Sequence, residues 1–286
     1  MDNLKAKKRH PEEIAVYTAI YVCAAFSVLL LLGIIIYVFA KGARRVNWAF
    51  LTGVTSILHG TVGIAGNILN TLIIILLTMI ITTPIGVGAA IYLNEYAKPG
   101  KLVTVIIFAT ETLAGIPSII FGLFGMLFFG QLCHMGYSLL TGSLTLTLMV
   151  LPLVTRNTQE ALKTVPDSFR TGAVGLGAGK WHTIRTILLP SAMPGIVTGV
   201  ILAIGRIIGE SAALLFTAGS AHLLPKTFNA FLEKIFHSGG TLTIQLYLSA
   251  SKGEFEVAFG IAVVLLVIVL LINFGTKRLA KKLEKH

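Results

Sequence analysis

The chain has 286 residues, 55% of them hydrophobic and only 12% charged, and its mean hydropathy is +0.86. Soluble domains carry roughly a quarter charged residues, so these proportions exclude a water-soluble enzyme or binding module and require most of the chain to meet lipid or other helices. The formal net charge of +11 would suit a nucleic-acid binder, but such a protein gathers its bases on a solvated face; here they punctuate long apolar runs, and no nucleic-acid partner is expected.

Residues 1–13 form a basic tail containing Lys5, Lys7, Lys8 and Arg9, and an apolar run follows from 14 to 40. A cleaved leader has an apolar core of roughly 7 to 15 residues, so this much longer run is expected to remain as a membrane helix. Further segments able to cross a hydrocarbon core of about 30 Å lie near 64–93, 102–130, 138–155, 190–217 and 256–274, before a tail at 275–286. The expectation is an all-α polytopic bundle of about six transmembrane helices, with the fourth the shortest. Thr83-Pro84-Ile85-Gly86 and Gly115-Ile116-Pro117 interrupt two spans, which bundles tolerate where neighbouring helices satisfy the freed backbone groups.

Six spans put both termini on one side. That side collects sixteen Lys and Arg residues and the other six, so the positive-inside bias assigns both termini and the 156–189 loop to the cytoplasm. Residues 14–274 read as one membrane domain, because the longest outer segment, 218–255, is too short for a core of its own. Cys23 and Cys133 are too few and too far apart for a disulfide framework, and the seven histidines lack ligand spacing; no metal site is indicated.

The 156–189 loop holds two helix-compatible stretches, 157–164 and 167–174, followed by Gly175, Gly177 and Gly179, which can break a helix. Helices this short are unstable alone in water. A partner is expected to hold them, with Trp181 and its apolar neighbours as a docking surface. Gly179-Lys180 fails as a phosphate-binding loop because Val174 and Trp181 stand at the wrong ends of it, so ATP must be handled by another chain and no cofactor is expected in this one.

The segment from Gly177 through Ile187-Leu188-Leu189-Pro190 resembles the EAA loop of ABC importer permeases. Gly115-Ile-Pro-Ser-Ile-Ile-Phe-Gly-Leu-Phe-Gly125 and Arg206-Ile-Ile-Gly-Glu-Ser-Ala-Ala-Leu-Leu-Phe-Thr217 are similar to the phosphate permeases of that family, and the resemblance covers nearly the whole chain. It implies the type I (MetI-like) importer architecture, with this chain a non-catalytic half of a pore. It also implies three companions: an ABC ATPase subunit holding ATP and Mg, a second permease subunit and an extracytoplasmic phosphate-binding protein. The ATPase would grip a coupling helix and rock the pore between two faces. The matching coupling positions are Thr171, Gly172, Ala173, Gly177, Leu189 and Pro190. Members often have Glu-Ala-Ala where this chain has Thr171-Gly172-Ala173, so the acidic contact to the ATPase is missing and docking is expected to rest on shape and apolar contact.

The fifth segment carries the most chemistry. Read as one continuous helix at 100° per residue, it gathers Gly195, Gly199, Arg206, Glu210, Ala213 and Thr217 on one face. Val197, Val200, Ile201, Ile204, Ile208 and Leu215 fall opposite. Arg206 then lies roughly 18 Å into the core, past the midplane, where a charge costs about 2.5 to 3.5 kcal/mol and needs a partner or a watery cavity. Glu210, four residues on, is within reach. The pair either locks two helices together or lines the translocation pathway. In the second reading Arg206 attracts the anion with its fork of donors and Glu210 limits how tightly it is held. The shared small-residue face favours the pathway. Gly195 with Gly199, and Gly205 with Gly209, have the spacing that permits close helix packing. Glu111, inside the third span, either lines a cavity or bonds to neighbouring backbone, and the second is expected.

The competing readings are a permease of the same class for sulfate or molybdate, the companion pore subunit, and a self-contained secondary transporter. The last would need inverted repeats, which the sequence lacks. An intramembrane enzyme would need a His-Glu-x-x-His or a nucleophile near a base, and neither arrangement is present.

Overall fold

The computed structural model describes residues 11–56, 61–225 and 227–283. Helix α1 (Pro11–Gly42) is a long apolar rod lying against α13 (Phe255–Leu283), with Tyr37 edge-on to Phe259 at 5.7 Å between ring centroids. A short α2 (Trp48–Thr52), capped by Asn47 Oδ1 accepting from Phe50 N–H at 2.8 Å, leads to an antiparallel ribbon of β1 (Val54–Ser56) and β2 (Thr61–Ile64). Helix α3 (Ala65–Ile91) follows and ends in a wider π turn, Tyr92–Tyr96.

Next come α4 (Lys101–Gly115), α5 (Ser118–Gly125, continued by π turns to Leu132) and α6 (Leu139–Lys163). The 156–189 loop contributes α7 (Asp167–Gly175) and α8 (Lys180–Thr183), and α8 runs through a π turn into α9 (Leu189–Gly209). The 210–254 segment holds α10 (Ala212–Thr217), α11 (Phe228–Glu233) and α12 (Leu242–Ser251) ahead of α13.

Among the described residues five helical stretches are long and apolar enough to cross a membrane: Ala15–Arg45, Ala65–Tyr96, Leu139–Lys163, Lys180–Gly209 and Phe255–Arg278. The third expected span is instead a broken pair, α4 and α5, bent by 104°. The cause is local: Ile116 is extended, and Pro117 caps α5 with no N–H to donate, so the helical ladder cannot run through. The 157–164 stretch is not a separate helix but the last two turns of α6, which makes the fourth span 25 residues long rather than the shortest. The fifth span starts earlier, at Lys180, and stops at Gly209, short of the expected 217. Helix α13 carries on through the segment read as a tail to Leu283, while the basic residues of the N-terminal tail lie outside the described residues.

Helices α3, α6 and α9 pack on one another around a core of Ile74, Leu146, Val150, Val154, Ala203 and Ile207. Helix α6 buries an unusual number of hydroxyls. Ser143, Thr145 and Thr147 each donate to the carbonyl four residues back at 2.8 Å, which satisfies them inside the helix and leaves small side chains at the contact. Gly125 of α5 sits directly on Thr145 in consequence, with no room for a Cβ.

Two polar clusters tie the ends. At one end, Asn67 and Asn70 of α3 donate to the carbonyls of Gly240 and Ala221, and Thr71 Oγ1 accepts from Leu242 N–H at 3.0 Å. These bonds fix the 218–242 segment over α3. At the other end, Arg170 of α7 donates at 3.0 Å to Glu95, at the end of α3, and to the carbonyls of Leu162 and Val165. Glu95 raises the Arg170 pKa above its ordinary value through this hydrogen bond, although partial burial works the other way. Lys180 adds a cation–π contact, 4.8 Å over the ring of Tyr96.

Replacing Gly199 with Leu forces a side chain into α6 and is expected to cost about 1 to 3 kcal/mol. The detergent-solubilised variant should melt several degrees lower, whereas Gly33→Ala, at a position with open space around it, should melt with the wild type; equal melting of all three would contradict the contact. Glu95→Ala removes the acceptor of Arg170, with an expected loss of roughly 1.5 to 3 kcal/mol for a charged hydrogen bond. Amide exchange in 167–175 should then accelerate while exchange in mid-α6 stays unchanged; unaltered exchange in α7 would show that the pair does not hold this helix.

Candidate functional site

Glycines bring α9 onto α6. A Cβ placed on Gly195 would stand 2.5 Å from Ala161 Cβ, and one on Gly199 would stand 2.6 Å from Asn157 Cβ. Four residues along α9 therefore match four residues back along α6, so the helices run antiparallel in tight register. Carried seven residues further, that register sets Arg206 opposite Val150, at the middle of α6. Arg206 thus stands in the last turn of α9, beside the middle of α6. A Cβ placed on Gly205 or Gly209 would meet nothing within 4 Å among the described residues, so this pair does not seat a neighbouring helix there as Gly195 and Gly199 do.

Arg206 lines a cavity of about 410 Å³ bounded by α4, α6 and α9. Its α6 wall begins with Met149, Pro152 and Leu153 and turns polar at Arg156, Gln159, Glu160 and Lys163; its α4 wall includes Thr110 and Glu111. Glu111 therefore lines the cavity and, among the described residues, does not make the bond to backbone that was expected. The ionisable lining residues are Arg206, Arg156 and Lys163 against Glu111 and Glu160, a surplus of one positive charge. Arg156 and Glu160 pair at 3.5 Å with about two-thirds of each side chain exposed.

Glu210 takes a different place from the one its spacing implied. The helix stops at Gly209, Glu210 is extended (φ −80°, ψ 125°), and its carboxylate accepts from Ala213 N–H at 3.0 Å, capping α10. Its carbonyl accepts from Thr243 Oγ1 at 2.7 Å. Both bonds compete with helix continuation, so Arg206 and Glu210 are not successive turns of one helix and form no ion pair among the described residues. Glu210 is buried and absent from the cavity lining. The single stripe through Ala213 and Thr217 dissolves with it. The face expected to meet lipid or an apolar neighbour is partly internal: Ile204, Ile208 and Leu215 pack in the central core.

The loop positions gather at the end of the bundle where α6 stops and α9 begins. Thr171 and Gly172 are exposed on α7, while Ala173 is buried. Gly177 has φ +80° and closes α7: its N–H bonds to Val174 O and that of Ala178 to Ala173 O, both at 2.9 Å. This pairing needs a left-handed residue at the turn, hence glycine. Beyond it Leu176 is 91% exposed, with Phe169, Val174 and Trp181 also largely exposed. Leu189 is half-buried, packed beside Leu162, Ile184 and Leu188 at the start of α9, and Pro190 occupies the first turn, where a missing N–H does no harm. The α6 cation positions and the Arg170–Glu95 tie were missed from sequence. A spacing of 156, 159, 160 and 163 on a helix continued past the apolar run was the available signal.

The family model described as "Binding-protein-dependent transport system inner membrane component" matches residues 82–286. The chain is 36% identical over 273 residues to "Probable ABC transporter permease protein YqgI" of Bacillus subtilis, covering 92% of this chain and 93% of that one. It is 35% identical over 246 residues to "Phosphate transport system permease protein PstA" of Xylella fastidiosa, covering 84% and 82%. Among solved structures, a chain of a bacterial alginate ABC transporter superposes with a TM-score of 0.68 at 17% identity over 94% of this chain and 96% of that one. A chain of the MetNI methionine ABC transporter does so with 0.58 at 21% over 77% and 94%. The fold is that of ABC importer permeases, and the chain belongs to the family of binding-protein-dependent inner membrane transport components as a multi-pass permease subunit.

Proposed function

We propose that this permease forms half of the pore of an ATP-driven phosphate importer. The observation that carries the reading is Arg206, a permanent cation held beside the middle of α6 in a cavity with a net positive lining. In a low-dielectric span such a group is tolerated where it meets water or a passing anion, and its planar fork suits tetrahedral oxyanions. Relatives named as phosphate permeases, at 34–41% identity, support phosphate over other oxyanions. Energy enters from a separate ATPase subunit that binds ATP and Mg and seats against Leu176 and its neighbours. A second permease subunit completes the pore, and an external phosphate-binding protein delivers the anion. Both termini face the cytoplasm. Glu210 serves by capping α10, which fixes the outer end of the Arg206 helix, and not by touching phosphate.

Arg206→Ala should cut labelled phosphate uptake about 10- to 100-fold, the loss of one charged hydrogen-bonding group, while the ATPase and the second permease still co-purify. Arg206→Lys should retain part of the uptake. Normal uptake in Arg206→Ala would remove the residue from the pathway, and wild-type vesicles that move sulfate or molybdate but not phosphate would overturn the substrate. Leu176→Asp should weaken retention of the ATPase subunit roughly tenfold or more, as for a central apolar anchor, with the bundle still folded; undiminished co-purification would place the docking surface elsewhere.

A further inference from the structure

The cavity-facing side of α6 changes character along its length. Met149, Pro152 and Leu153 are apolar; below them Arg156, Gln159, Glu160 and Lys163 recur at three- and four-residue intervals on one helix face. The step from Val150, opposite Arg206, to Arg156 is about 9 Å along the helix and that to Lys163 about 20 Å. Cations thus run from beside the middle of α6 to its end at Lys163. Among the described residues only one of them is matched by an ion pair: Arg156 pairs with Glu160 at 3.5 Å, one turn apart and largely exposed.

Resting on the reading of the chain as an oxyanion permease, we infer that α6 is the exit rail of the pathway. Arg156 and Lys163 receive the anion from Arg206, and Glu160 is the counter-ion that displaces it from Arg156. A lone arginine in a confined cavity would hold a divalent oxyanion too long for transport, which needs brief binding. An exposed carboxylate one turn away is weakly bound to its arginine, so it yields when the anion arrives. It returns when the anion moves on to Lys163, where α6 ends. The exchange involves no bond making and no proton transfer. Glu111, on the facing α4 wall, adds repulsion and keeps the upper chamber from trapping the anion.

The test uses the full assembly of ATPase, both permease subunits and phosphate-loaded binding protein in proteoliposomes. It measures the maximal uptake rate of labelled phosphate and the phosphate concentration on the cytosolic side that halves it. Glu160→Gln should lower the maximal rate by about two- to fivefold, and should lower the half-inhibitory cytosolic phosphate by a similar factor, the scale of one exposed ion pair. Arg156→Gln should raise that half-inhibitory concentration. In the double variant, Glu160→Gln should have no further effect, because the arginine it answers is gone. A purely structural pair would alter assembly or melting without moving the cytosolic inhibition. Glu160→Gln with wild-type rate and inhibition, or with the same effect in both backgrounds, overturns the rail. Failure of the wild-type assembly to carry phosphate overturns the substrate reading instead, and the same cycle run with the oxyanion it does carry then decides the rail separately.

Discussion

Close contact between α6 and α9 is the constraint from which the rest follows. Gly195 and Gly199 remove the side chains that would hold the helices apart, and Ala161 and Asn157 occupy the space. In a bilayer no hydrophobic drive pulls two helices together, so contact of small residues and dispersion must do it. The resulting antiparallel register leaves no freedom over where Arg206 falls: opposite Val150, beside the middle of α6, facing the gap that α4 leaves open. A bulkier α9 would carry the guanidinium away from that gap.

The same helix links the chamber to α7. Helix α6 runs without interruption from the cavity to Lys163, and Arg170 of α7 donates to carbonyls at its end, Leu162 and Val165, while also reaching Glu95 on α3. Helix α7 is thereby tied to α3 and α6 together. Helix α7 is short, and its stability depends on these bonds and on the glycine turn at Gly177 rather than on intrinsic helix formation. At the other end of α3, Asn67, Asn70 and Thr71 fasten the 218–242 segment to it. Helix α3 is therefore attached to polar clusters at both ends.

Much of this was legible in the residues. Long apolar runs gave the number of membrane segments, because the hydrocarbon core sets a length that only such runs meet. The second loop helix was readable from the glycines that follow it, Gly175, Gly177 and Gly179. Three features were not. Hydropathy sees Gly115-Ile116-Pro117 as an interior of one apolar run, although proline's lost donor bends the chain by 104° there. It ends the fourth span where polarity begins at Arg156, although α6 continues as a polar helix into the cavity mouth. It also carries a helical wheel across Gly209-Glu210-Ser211, where a carboxylate bonded to Ala213 N–H and a hydroxyl from Thr243 stop the helix. Each failure replaced a local hydrogen-bond choice with a smooth periodicity.

Whether the α4–α6–α9 cavity is the path of the anion is decided most directly by access to its apolar wall. In a chain with Cys23 and Cys133 replaced by Ala, Leu153→Cys places a thiol in the lining below Arg206. The account predicts that an anionic thiol reagent applied to the cytosolic face of inside-out vesicles labels it faster than a cationic reagent of equal size, and that phosphate slows the labelling. Indifference to reagent charge together with unchanged labelling in phosphate would contradict it.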